Sequence, residues 1–93
     1  MIIGVCIIDL YLANSGSLKS KRQVLRRLKE RIKGTYNVSV SEIDHHDLWQ
    51  RATLGVAIVS TDVRFANRVL CKVVDFVRKE PRAEILDWTV EMR

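Results

Sequence analysis

One proline and four glycines in 93 residues leave little material for linkers or low-complexity segments, and no internal repeat is visible. Two cysteines, Cys6 and Cys71, are too few for a disulfide framework. Both fall inside apolar periodic segments and read as small buried hydrophobes, which suits a reducing compartment. Aromatic residues make up only 6% of the chain. The apolar opening Met1–Ile8 has no Lys or Arg ahead of it and is interrupted at Asp9. No stretch approaches the roughly 20 apolar residues of a membrane span, and no export signal is recognised. A membrane role is therefore not expected, and a cytoplasmic location is.

What is present is an ordinary globular composition, 47% hydrophobic and 29% charged, with a net charge of +5. That is enough for one domain over 1–93 with a single core, and the positive balance favours acidic partners.

The chain reads as alternating elements. Ile2–Leu12 is a strand with apolar residues at both parities, Gly4, Cys6, Ile8, Leu10 and Leu12 one way and Ile3, Val5, Ile7, Asp9 and Tyr11 the other. Such a strand belongs at the centre of a sheet. Residues 13–16 form a turn. Ser17 is an N-cap for a helix from Leu18 to about Lys33, with Gly34 ending it. Leu18, Leu25, Leu28 and Ile32 form its apolar stripe, and Lys21 projects into the middle of that stripe, so its ammonium must escape or find a carboxylate. A strand at Asn37–Ile43 turns Val38 and Val40 inward. Another, Gln50–Ser60, carries Ala52, Leu54, Val56 and Ile58 at one parity. Asp62 caps a second helix to about Lys79, with Ala66, Val69, Leu70, Val73 and Val77 inward and Phe65 and Phe76 widening that face. Pro81 lies in the next turn, and Glu84–Met92 is a last strand with Leu86, Trp88, Val90 and Met92 on one face.

The order βαββαβ with right-handed crossovers implies an α+β, ferredoxin-like sandwich: a four-stranded antiparallel sheet, order 4-1-3-2, with two helices on one face. Two helices cover one sheet face only. Ile3, Val5 and Ile7 are then left apolar on the other, and a homodimer through the open face or a strand edge is expected.

Three constellations carry chemistry. The first is a basic helix: eight of the sixteen Lys and Arg residues lie between Lys19 and Lys33, against one acid, Glu30. Lys19, Arg22, Arg26, Lys29 and Lys33 fall in a stripe about 80° wide beside the apolar face, with Arg27 and Arg31 on the far side. Such a row suits a phosphate backbone; the plainer alternative is a solvated face that keeps the domain soluble. An anionic membrane surface is a poor match because the core needs the apolar stripe. Base stacking on the sheet is also poorly supplied, with Tyr11 the only aromatic of the first strand and none in the third after Trp49.

The second is the loop Glu42–Arg51, which holds both histidines and three of the eleven acids. Asp44, His45, Asp47, Trp49 and Arg51 are its candidate site residues. Adjacent histidines in an extended segment point to opposite sides and share a metal ion poorly, so no metal or cofactor is assigned. No nucleophile, oxyanion hole or cofactor motif stands beside them, which weighs against an enzyme and assigns no catalytic residue. In the plain structural alternative Asp44 or Asp47 caps the turn, Trp49 anchors it to the core, and the histidines bond to backbone. The third is the pair Asp9 and Asp87, which share a sheet surface if the first and last strands pair and would receive Lys21 or a partner's Arg.

The runs Ser17-Leu18-Lys19-Ser20-Lys21-Arg22, Asn37-Val38-Ser39-Val40, Asp44-His45, Asp47-Leu48-Trp49-Gln50-Arg51-Ala52 and Leu54-Gly55-Val56-Ala57 closely resemble the YlxP-like family of small bacterial proteins, a domain of unknown function. The resemblance covers nearly the whole chain. It implies a ferredoxin-like fold and a gene neighbourhood of translation-initiation and ribosome-maturation factors, hence ribosomal or other structured RNA as partner, with no catalytic residues to carry over. His46 stands where the family often has Gln, which speaks against a ligand role there. The leading expectation is a non-enzymatic ribosome- or RNA-associated factor. The alternatives are a small metal-binding or enzymatic domain working at the Glu42–Arg51 loop, or a dimeric protein-interaction module.

Overall fold

In the computed structural model, which describes residues 1–13 and 15–93, strand β1 (Ile2–Tyr11) is one of the two interior strands of the sheet, flanked on both sides. The chain continues through α1 (Leu18–Thr35), β2 (Ser39–Asp44), β3 (Arg51–Ser60), α2 (Val63–Arg78) and β4 (Glu84–Met92). The sheet order is β2-β3-β1-β4, the expected 4-1-3-2 read from the other edge, and every pairing is antiparallel. Of the turn expected at 13–16, Asn14 lies outside the described residues.

Alternation along β1 sorts its side chains as period-two geometry requires. Gly4, Cys6, Ile8 and Leu10 are buried, while Ile3, Val5, Ile7, Asp9 and Tyr11 are not. Against the buried set pack Ala52, Leu54, Val56 and Ile58 of β3, Leu25, Leu28 and Ile32 of α1, and Ala66, Leu70, Val73, Val74 and Val77 of α2. Gly4 lets α2 settle close: a Cβ there would lie 3.0 Å from Leu70 Cδ1 and 2.9 Å from Ile58 Cγ2. Burial pushes the Cys6 thiol up to about 11, with neighbouring Cys71 adding to the shift, so Cys6 is an inert core thiol. Cys71 is only half-buried.

Both predicted N-caps are present. Ser17 accepts from Ser20 N–H, and Asp62 from the N–H groups of Arg64 and Phe65, each satisfying donors that a helix start leaves free. Several expectations need correction. Gly34 does not end α1. The helix continues to Thr35, and Tyr36 closes it by donating its N–H to Ile32 O, while the Tyr36 ring packs edge-on against Phe76 at 6.1 Å. Leu18 is half-buried, and Lys21 occupies the core position beneath it. β2 begins at Ser39 rather than Asn37. Phe65 is 48% exposed instead of joining the apolar face, whereas Val74 belongs to that face.

In β4 the register slips between Asp9 and Leu10, so Asp9 faces Asp87 but Leu10 faces Ile85. The extra residue shifts parity. Ile85 packs against the core together with Val90 and Met92, and Leu86 is left exposed.

Candidate nucleic-acid interface and the adjoining loop

Lys21 couples the basic helix to the loop. Its side chain is 1% exposed, its Nζ lies 2.9 Å from Glu42 Oε2 of β2, and Nζ donates to the backbone carbonyls of His45 and His46. The Glu42 contact is an ion pair rather than a directed hydrogen bond. From the sequence this ammonium must escape or find a carboxylate; it finds Glu42, not Asp9 or Asp87. Lys21 therefore fastens the turn to the first turns of α1. Leu12 N–H bonds Gln50 O, and Tyr11 stands opposite Arg51, so the end of β1, the start of α1 and the loop share one end of the domain.

Within the loop His45 has a positive φ of 64°, a conformation uncommon outside glycine. Three contacts hold it there. Its N–H donates to Asp44 Oδ1 at 2.7 Å, its carbonyl accepts from Leu48 N–H at 3.1 Å, and Lys21 takes the same carbonyl from the other side. The imidazole joins a chain across the sheet. Thr53 Oγ1 donates to Asp9 Oδ1 at 2.6 Å and lies 2.9 Å from His45 Nδ1. Because the Thr53 proton is committed to a carboxylate that can only accept, Nδ1 must be the donor to Oγ1. Thr53 is 5% exposed, so its hydroxyl orients the ring and is closed to substrate.

The sequence places Asp9 only with Asp87 and does not single out Thr53. The available signal was that each is a polar interruption of an apolar strand, and the β1–β3 register sets them opposite one another. Asp9 also faces Asp87 across the β1–β4 pair, as expected.

His46 Nε2 reaches Glu42 O at 3.2 Å, so this histidine bonds to backbone, whereas His45 bonds to a side chain. Among the described residues no three His, Cys, Asp or Glu side chains converge on a point that could hold a metal ion. The expected anchoring of Trp49 in the core is overturned. Trp49 is 55% exposed and Leu48 47%, because the turn that starts at His45 carries them outward. Together with Asp47, Gln50 and Arg51 they line an open depression of about 400 Å³. Arg51 Nε is buried without a hydrogen-bond partner.

Along α1, Lys19, Arg22, Arg26 and Lys33 are exposed and Lys29 is half-buried. None of the five takes part in an ion pair among the described residues. Arg31 is the contrast: it sits 3.7 Å from Glu80 and over the Phe76 ring, which identifies its flank as the one facing α2. At about 100° per residue the five-cation stripe lies on the opposite flank, beside edge strand β2. It runs about 21 Å along the helix axis at 1.5 Å per residue.

Among the described residues no helix is long and apolar enough to cross a membrane. The family model described as "Protein of unknown function (DUF503)" matches residues 3–90. A curated relative, "Uncharacterized protein YlxP" of Bacillus subtilis (strain 168), is 38% identical over 82 residues, which is 88% of this chain and 89% of that protein. Among solved structures, "De novo designed protein Foldit4" aligns over 100% of this chain and 97% of its own, with a TM-score of 0.55 and 14% identity. At that identity the likeness is one of fold alone.

Proposed function

The chain belongs to the DUF503 family of unknown function, and from that premise we propose that it is a non-enzymatic, cytoplasmic ribosome- or RNA-associated factor that holds phosphate backbone along α1. The observation carrying this reading is the set of five cations, Lys19, Arg22, Arg26, Lys29 and Lys33, on one flank with no carboxylate partner among the described residues. Protein design principles and protein surfaces alike intersperse charges of both signs when solubility is the only need. A one-sign stripe lets each phosphate contact release a counterion, which makes binding strongly salt-dependent.

The test is binding of structured ribosomal RNA across a salt series by the wild type and by Arg22→Glu/Arg26→Glu. The double variant is expected to bind at least about tenfold more weakly near physiological salt, with a shallower salt slope. Both positions are exposed, so melting should be unchanged. Equal retention of the two proteins would remove α1 from the reading.

The same reading includes a homodimer through the open sheet face. Ile3 (38% exposed) and Val59 (66%) face each other there, and Val5, Ile7 and Ala57 continue the row half-buried. Ile43 lies over Gly55 on the same face, since a Cβ on Gly55 would meet Ile43 Cγ2 at 3.0 Å. Apolar rows of this kind favour burial against a partner, and a second copy offers a self-complementary one. The cation stripe lies in the helical layer, so dimerisation leaves it free. Light scattering should report a dimer for the wild type and a monomer for Ile7→Glu; a dimer in both would place the contact elsewhere.

A further inference from the structure

We infer that the depression beside Trp49 takes an unpaired nucleobase of the RNA that α1 holds, with Trp49 as the stacking face and Arg51 as donor to the base edge or the adjoining phosphate. The inference rests on the reading of α1 as a phosphate-binding helix and adds to it the class of nucleotide that is recognised.

Trp49, Arg51 and their chain neighbours together make the case for this spot. Trp49 is 55% exposed and makes no aromatic or cation–π pairing among the described residues. Trp88, by contrast, is covered by the Arg78 guanidinium at 5.9 Å. A large open ring of this sort is costly to leave in water and suits a stacking partner of similar size. Arg51 is half-buried and has no ion-pair partner among the described residues, so its charge is left for a group supplied from outside. The surroundings fit a base better than a purely apolar ligand. Asp47, Gln50 and Arg51 place an acceptor, an amide and a donor around Trp49 and Leu48 in about 400 Å³, the mixture a base edge requires.

Position supplies the link to α1. Lys21 ties the carbonyls of His45 and His46 beneath the first turns of the helix, and Lys19 and Arg22 are its neighbours there. A strand whose phosphates follow the stripe toward the start of α1 arrives at the loop. The loop itself is held by Lys21, by Asp44 on the His45 N–H and by the His45–Thr53 bond. Trp49 is therefore presented from an ordered turn, which lowers the entropy cost of engaging it.

The experiment uses the full chain and three probes: a short single-stranded oligoribonucleotide, the same sequence as a perfect duplex, and adenosine monophosphate. Trp49→Ala is expected to bind the single strand about tenfold more weakly, as loss of one stacked base implies, with melting and salt slope unchanged. Trp49→Phe should keep most of the affinity. In a Trp88→Phe protein, Trp49 emission should be quenched by the single strand and not by the duplex. If Trp49→Ala binds the single strand as well as wild type while Arg22→Glu/Arg26→Glu does not, the stacking site is overturned and the helix reading stands. Binding of neither RNA by the wild type overturns both. Binding of the mononucleotide as tightly as the oligonucleotide overturns RNA as the occupant.

Discussion

Lys21→Ala is expected to lower unfolding stability by about 3–5 kcal/mol, the usual result of removing one partner from a buried ion pair. The ammonium is 1% exposed and answers three oxygens, Glu42 Oε2 and the carbonyls of His45 and His46. Deleting it leaves a carboxylate only 14% exposed without a counter-charge, the His46 carbonyl without this donor, His45 O with Leu48 N–H alone, and a void on the buried face of α1. For a domain of this length such a loss corresponds to a melting temperature lower by about 12 °C or more. Lys21→Met separates the parts, because it restores most of the stem volume while leaving Glu42 unpaired. Lys21→Met/Glu42→Gln should then recover at least half of the loss, since the uncompensated charge has gone. Thermal or urea unfolding of the three variants decides it: a Lys21→Met protein as stable as wild type would mean that the pair contributes nothing. The variants should also loosen the loop locally, read as faster exchange of the Leu48 amide that bonds His45 O.

Thr53→Val has the second-largest expected effect on stability. Valine keeps the shape and removes the hydroxyl that donates to Asp9 Oδ1 and accepts from His45 Nδ1. Leaving two polar groups without their partner at a site 5% exposed costs about 1–3 kcal/mol. Asp9→Asn should cost less, because the amide oxygen still accepts from Thr53. The double variant should be less destabilised than the sum of the two singles, by roughly 0.5 kcal/mol or more, as for groups sharing one hydrogen bond. Nitrogen chemical shifts of His45 give an independent check. They should report the Nδ1–H tautomer in the wild type and a mixture in Thr53→Val. Strict additivity together with an unchanged tautomer would dissolve the chain as a unit. The loop's orientation also depends on this chain, so Thr53→Val should weaken Trp49-dependent RNA binding without touching Trp49.

Much of this molecule was legible before any coordinates. Ser17 and Asp62 announce their helices because an N-cap is a local device, one side chain reaching a backbone N–H two or three residues on. The two parities of β1 placed it mid-sheet, and the handedness of crossovers then left one strand order. The charge asymmetry of α1 was visible as well, because helical spacing alone sorts its cations onto flanks. Gly34 misled because glycine stops a helix only where the chain needs a left-handed residue. Here Tyr36 makes the capping bond and packs on Phe76 instead.

The loop was legible as a place and not as an arrangement. Trp49 was expected inward and His45 on backbone, and neither is found so. Both outcomes turn on the positive φ at His45 and on groups far along the chain: Lys21 is 24 residues away from the carbonyl it holds, and Thr53 is 44 residues from Asp9. In β4 a single extra residue exchanged Leu86 for Ile85 on the inner face, as any one-residue slip in a strand must.

The sequence by itself determined the order of elements, the two helix N-caps, the antiparallel sheet and the cationic flank of α1, because these follow from periodicities and capping contacts that span one or two turns of chain. Tertiary structure alone decided that Lys21 meets Glu42, that Asp9, Thr53 and His45 form one hydrogen-bonded line, and that Trp49 faces outward with Arg51 beside it. Those outcomes depend on strand register and loop geometry, where a shift of one residue changes which face a side chain occupies and therefore which partner it can reach.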